Sequence, residues 1–153
     1  MFHRIEHTAL SVSSLERSVA FYRDVIGMEV VMEVDFSDET LGKVNGLAGC
    51  RARVVHLKLG GTALELFEYR EPKGRSAARE LRQCDTGFIH IGFRVTDIHR
   101  HCAELREKGV RFFGEPLRIR PGTFVVYFEG PDGEVCEMRQ VPDEECGDGR
   151  EKT

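Results

Sequence analysis

Four residues of this chain have types and spacing suited to metal chemistry: His7, Glu65, His90 and Glu137. His7 opens the segment His7-Thr8-Ala9-Leu10-Ser11-Val12, and His90 opens His90-Ile91-Gly92-Phe93-Arg94-Val95. Each histidine is followed by a helix-like stretch, further strand-like stretches and a glutamate inside an apolar strand. Glu65 closes Gly61-Thr62-Ala63-Leu64-Glu65, and Glu137 closes Gly133-Glu134-Val135-Cys136-Glu137. The histidines stand 83 residues apart and the glutamates 72, so the second copy is the more compact. A unit that twice places His and then Glu on strands can build a four-ligand site at a pseudo-twofold axis. Two imidazoles and two carboxylates form a mixed nitrogen and oxygen set that suits one divalent ion of Zn, Ni, Co, Mn or Fe.

Strand alternation decides which side chains share a face. Glu65 sides with Ala63 and Phe67, while Leu64 and Leu66 point the other way. A carboxylate on the inner face of a sheet is costly to bury without a cation or hydrogen-bond donors. The same argument applies to Glu137, between Cys136 and Met138. Gly60-Gly61 is a two-residue hairpin signal. If it forms the turn, Leu59 pairs with Thr62 and His56 lies directly opposite Glu65, as a hydrogen-bond partner or a second acid/base. A one-residue slip would turn His56 outward. His3, His99 and His101 read as surface residues. Lys73, Arg75, Arg79 and Arg82 could hold an anionic substrate group, although a solvated charged face is the simpler reading of them.

The elements needed to position these groups follow from the pattern. A strand is predicted over Arg4 to Val12, and Ser13 with Glu16 reads as a capping box for a helix carrying Leu15, Val19, Tyr22 and Ile26. Strands are expected at Val30 to Val34, Arg53 to Leu59 and Thr62 to Tyr69, with a polar loop or lid from Asp35 to Gly49. A short helix is expected over Ala77 to Arg82. The unit then restarts: a strand at Phe88 to Val95, a helix capped by Asp97 and stopped by Gly109, and a short strand at Val110 to Phe113. A final hairpin, Thr123 to Phe128 and Glu134 to Val141, turns at Gly130-Pro131-Asp132-Gly133. The fold class is therefore α+β: two βαβββ repeats, about 4–69 and 88–141, whose curved mixed sheets surround a metal-binding cleft. One domain over 1–141 is expected, with 142–153 as a disordered tail.

Composition sets the outer limits. The chain has 153 residues, 41% apolar and 31% charged, with a net charge of −4. No basic run points to nucleic acid. No apolar run approaches a membrane span, and the N-terminus lacks a signal-peptide pattern. Five cysteines without a CxxC pair suit a reducing cytoplasm.

With these residues in view, the chain resembles the vicinal oxygen chelate superfamily, which includes glyoxalase I, methylmalonyl-CoA epimerase, extradiol dioxygenases and fosfomycin-resistance enzymes. The resemblance covers about Ile5 to Val141. It rests on the segment from His7 to Val12, on Ser18-Val19-Ala20-Phe21-Tyr22-Arg23-Asp24-Val25-Ile26-Gly27-Met28, on Leu64-Glu65-Leu66, on His90-Ile91-Gly92-Phe93, and on Gly130-Pro131-Asp132-Gly133 leading to Glu137. It implies that His7, Glu65, His90 and Glu137 are the four metal ligands and that the chain forms a homodimer, with sites inside one chain or shared between two.

Glu at the second ligand position is similar to the glyoxalase and epimerase branch. That likeness implies a metal-dependent isomerase, epimerase or lyase acting on a small α-hydroxy or α-oxo compound. The chemistry implied is proton abstraction next to a carbonyl, with the metal stabilising an enediolate and Glu65, Glu137 or His56 as candidate catalytic groups. Glyoxalase I (lactoylglutathione lyase) is the first alternative, but its glutathione-contacting Arg and Asn are here Ser11 and Tyr69. The stretch from Leu64 to Arg75 looks closer to epimerase-like members, including those acting on cyclitol ketones. A metal-free ligand-sequestering protein and an Fe(II) extradiol-type dioxygenase are the remaining alternatives.

Overall fold

The computed structural model describes residues 1–142, so the tail expected from Pro142 lies almost wholly outside the described residues. The chain divides into two compact units, Met1–Arg79 and a second from Glu80 onward. Each is built as βαβββ around a four-stranded mixed sheet. None of the described helices is long and apolar enough to cross a membrane.

In the first unit, β1 (His7–Ser11) is followed by helix α1 (Leu15–Ala20), which runs on into a π-helical turn, Phe21–Val25. The N-cap is Ser14, whose hydroxyl accepts from the Arg17 backbone N–H at 3.3 Å, one residue later than predicted. Ser13 instead accepts from the Arg17 guanidinium, and Glu16 is drawn away to Arg53. Gly27, at φ 90°, ends the helical run in the left-handed conformation that glycine adopts without a Cβ penalty. α1 packs against β3 (Arg51–Leu59) and β4 (Thr62–Glu71), with Leu15, Ser18 and Tyr22 buried.

The sheet order is β1-β4-β3-β2, with β1 parallel to β4 and β2 (Glu29–Phe36) at the edge. Gly60-Gly61 makes the predicted turn, and Leu59 pairs with Thr62. The expected loop from Asp35 to Gly49 is different. β2 continues to Phe36, and a short helix α2 (Thr40–Asn45) follows, ended by left-handed Gly46. Its Leu41 packs with Cys50 and Ala52 against Phe36, Phe67 and Tyr69, so one leucine anchors a segment that otherwise reads as polar.

In the second unit, β5 (Ile91–Arg94) is shorter than predicted, and His90 lies one residue before it. Helix α3 (Ile98–Glu107) has Asp97 as its cap, accepting from the Arg100 N–H at 3.1 Å, and it buries Ile98, Cys102 and Leu105. Asp97→Ala is expected to lower stability by about 1 kcal/mol, measured as a shift in the urea midpoint at constant slope. The strand predicted at Val110 to Phe113 reduces to a single bridge, Phe112 with Phe128. Its place at the edge is taken by β6 (Leu117–Arg120), antiparallel to β7 (Thr123–Glu129). All four residues of β6 are exposed, so it has no burial alternation to betray it. With β8 (Val135–Gln140) the order is β5-β8-β7-β6, the same as in the first unit. The predicted short helix at Ala77 to Arg82 is one 3₁₀ turn, Ala78–Glu80.

Candidate functional site

The two units present their His and Glu in the same register. In the first, the parallel ladder sets Ala9 opposite Glu65, and His7 lies two residues earlier on the same face. His7 Nε2 stands 3.5 Å from Glu65 Oε2. The antiparallel ladder sets His56 opposite Glu65, with Nε2 3.0 Å from Oε1. Glu65 is therefore held between two imidazoles while only 9% exposed, which offsets much of the cost of burying its charge. Glu6 accepts at His7 Nδ1, 2.5 Å away, and this hydrogen bond raises the His7 pKa while lowering that of Glu6. The Glu6 carboxylate behind His7 orients the ring, as carboxylates do behind metal-binding histidines.

In the second unit, Gly92 lies opposite Glu137, and His90 is two residues before Gly92. His90 Nε2 is 3.6 Å from Glu137 Oε2. The residue across the antiparallel ladder from Glu137 is Tyr127, so Tyr127 occupies the place that His56 holds in the first unit. Its ring centroid is 5.3 Å from that of His90. Burial, helped by the Glu137 charge, pushes the Tyr127 hydroxyl above its ordinary pKa and keeps it a proton donor. Ile89 stands where the first unit has Glu6, and His90 Nδ1 is buried with no hydrogen-bond partner among the described residues. Gly92 leaves space: a Cβ there would lie 3.2 Å from Glu137 Oε2.

The His–Glu separations of 3.5 and 3.6 Å are long for hydrogen bonds. They are close to what two ligands of one ion require, since bonds of about 2.0–2.2 Å at tetrahedral or octahedral angles put ligand atoms roughly 3.0–3.5 Å apart. The donor types and spacing fit a divalent ion. Among the described residues, no group of three or more His, Cys, Asp or Glu side chains is gathered to hold a metal ion, and each unit presents one His–Glu pair. Glu6, Gly92 and Tyr127 were not legible as site residues. Tyr127 precedes Glu137 by ten residues, whereas His56 precedes Glu65 by nine, because the second hairpin has the longer turn. That difference hides the equivalence.

Outside these groups, Arg82 of the expected basic cluster is paired with Asp85 at 2.8 Å. Arg79 also has a partner. On α3, His101 lies 3.4 Å from Glu104, and His99 packs edge-on against Phe124.

Comparison with known proteins agrees with this architecture. The chain is 34% identical to 2-epi-5-epi-valiolone epimerase of Actinomyces sp., over 90% of this chain and 79% of that protein. It is 28% identical to a probable lactoylglutathione lyase of Synechocystis sp., over 88% of this chain and 93% of that one. The crystal structure of a glyoxalase family protein from Bacillus cereus superposes with a TM-score of 0.85, covering 93% of this chain and 97% of that one, at 20% identity. The family model for the Glyoxalase/Bleomycin resistance protein/Dioxygenase superfamily matches residues 4–138, and the chain belongs to that superfamily.

Proposed function

We propose that the chain is a metal-dependent epimerase, isomerase or lyase that moves a proton at the carbon next to a carbonyl of a small α-hydroxy or α-oxo compound. The observation that carries the reading is the shared register of the two His–Glu pairs, one per unit. His7 with Glu65, and His90 with Glu137, each supply half of the ligand set for one divalent ion. The chemistry such an ion supplies is Lewis acidity toward a carbonyl oxygen. Glu65 lies between His7 and His56, which hold it in a fixed position. Glu137 faces a phenol and has clearance at Gly92, and it is the carboxylate suited to take and return the substrate proton. His56 is placed to exchange a proton with Glu65.

The Actinomyces relative supports epimerisation of a hydroxy ketone. The Synechocystis relative supports a second reading, lactoylglutathione lyase chemistry, with the same proton abstraction. The proposal includes a cytoplasmic homodimer, in keeping with free thiols at Cys50, Cys84, Cys102 and Cys136. Elemental analysis of protein purified without added metal tests it. About one divalent ion per chain, lost in His7→Ala, is the expected result. Absence of bound ion after reconstitution with Zn, Ni, Co, Mn and Fe would sink the reading.

A further inference from the structure

One row along the sheet from Gly92, Glu137 and Tyr127, on the same face, the register aligns Arg94 with Arg139, then Val125 and Leu117. The two arginines are direct neighbours on adjacent strands. Both are exposed, and neither guanidinium has a hydrogen-bond or ion-pair partner among the described residues. Like charges directly opposite one another are unfavourable. The chain does not lack carboxylates to relieve them: its net charge is −4, and Arg23, Arg53, Arg70, Arg82, Arg106 and Arg111 each hold one.

Two planar forks carried on directly paired strand positions suit the oxygens of a carboxylate or a phosphoryl group. At about 3.3 Å of rise per residue, Arg139 lies roughly 7 Å along β8 from Glu137. That distance suits an anionic group a few bonds from a carbon whose proton Glu137 could reach.

We propose that Arg94 and Arg139 form an oxyanion subsite for a carboxylate or phosphoryl group of the substrate. The identity of the bound anion as substrate rests on the reading of Glu137 given above, whereas anion binding by the pair does not. Leu117, 69% exposed, and Val125 continue the row with apolar surface for the part of the ligand beyond the anion.

The test is isothermal titration calorimetry of the full chain with inorganic phosphate and, separately, with acetate, before and after treatment with a chelator. The chelated parent is expected to bind one equivalent of at least one probe, and the tighter probe assigns phosphoryl or carboxylate. Arg94→Gln and Arg139→Gln should each weaken binding about tenfold or more. The double variant should lose little beyond either single, because both side chains hold one anion. Both Gln variants should melt at or above the parent temperature in anion-free buffer, since a repulsion has been removed, and Arg139→Lys should bind with intermediate strength. Unchanged affinity in both Gln variants, or no saturable binding of either probe by the parent, overturns the subsite. Metal content separates the two readings. A parent that binds phosphate but holds no metal after reconstitution defeats the metal proposal and leaves the subsite standing. Normal metal content with no anion binding does the reverse.

Discussion

Glu137→Ala is expected to abolish stoichiometric metal binding and to slow proton exchange at the substrate carbon by about 10²- to 10⁴-fold. Two losses are combined in that number, and a second variant separates them. Glu137→Gln keeps the side chain's length and one coordinating oxygen but cannot carry the proton. It should therefore retain more metal than Glu137→Ala while exchanging protons as slowly. Stability should change little in either case. The carboxylate lies among Tyr127, His90 and Gly92, and removing an anion from such surroundings sacrifices little burial. Exchange is read by following deuterium uptake from D₂O into a hydroxy ketone by NMR, and metal by elemental analysis. Full metal retention in Glu137→Ala would remove this residue from the ligand set, and undiminished exchange in Glu137→Gln would remove it from proton transfer.

The pairing of His56 with Glu65 was legible because strand periodicity and turn chemistry leave few choices. Gly60-Gly61 fixes the first hairpin, and once Leu59 meets Thr62 the pairing of His56 with Glu65 follows by counting. The repeat was legible as well, and both units carry the same strand order. What stayed hidden has physical causes. α2 formed in a stretch that reads as a loop because tertiary contact with Phe36, Phe67 and Tyr69, rather than local periodicity, makes Leu41 a core residue. β6 was unreadable because an edge strand with all four residues exposed has no polar and apolar alternation. The predicted strand at Val110 to Phe113 failed for the opposite reason. Its apolar residues were a fair strand signal, yet the pairing with β7 stops at one bridge, Phe112 with Phe128, while Phe113 remains 52% exposed. Glu6 was passed over because a surface carboxylate next to a histidine in sequence usually points away from it, and only the conformation at the start of β1 brings the two together.

Gly92→Ala is expected to lower the same exchange rate by about ten- to a hundredfold with almost no change in melting temperature. The two units differ at this point. Glu65 shares its row with Ala9, so the first carboxylate already accommodates a methyl group, whereas Glu137 shares its row with a glycine. A Cβ at position 92 would stand 3.2 Å from Glu137 Oε2, closer than ordinary van der Waals contact. The atom in the way is the tip of a flexible side chain, so the fold can yield by moving the carboxylate a few tenths of an ångström. Alanine is also a better strand residue than glycine, which offsets the crowding. The displaced group is the one proposed to reach the substrate proton, and proton transfer depends steeply on that distance. The matching change in the first unit, Ala9→Gly, should leave exchange within about twofold while lowering stability by about 0.5–1 kcal/mol. If Gly92→Ala exchanged protons at the parent rate, the clearance beside Glu137 would have no part in the reaction. A parallel loss in Ala9→Gly would show that both rows respond to backbone change rather than to the position of one carboxylate.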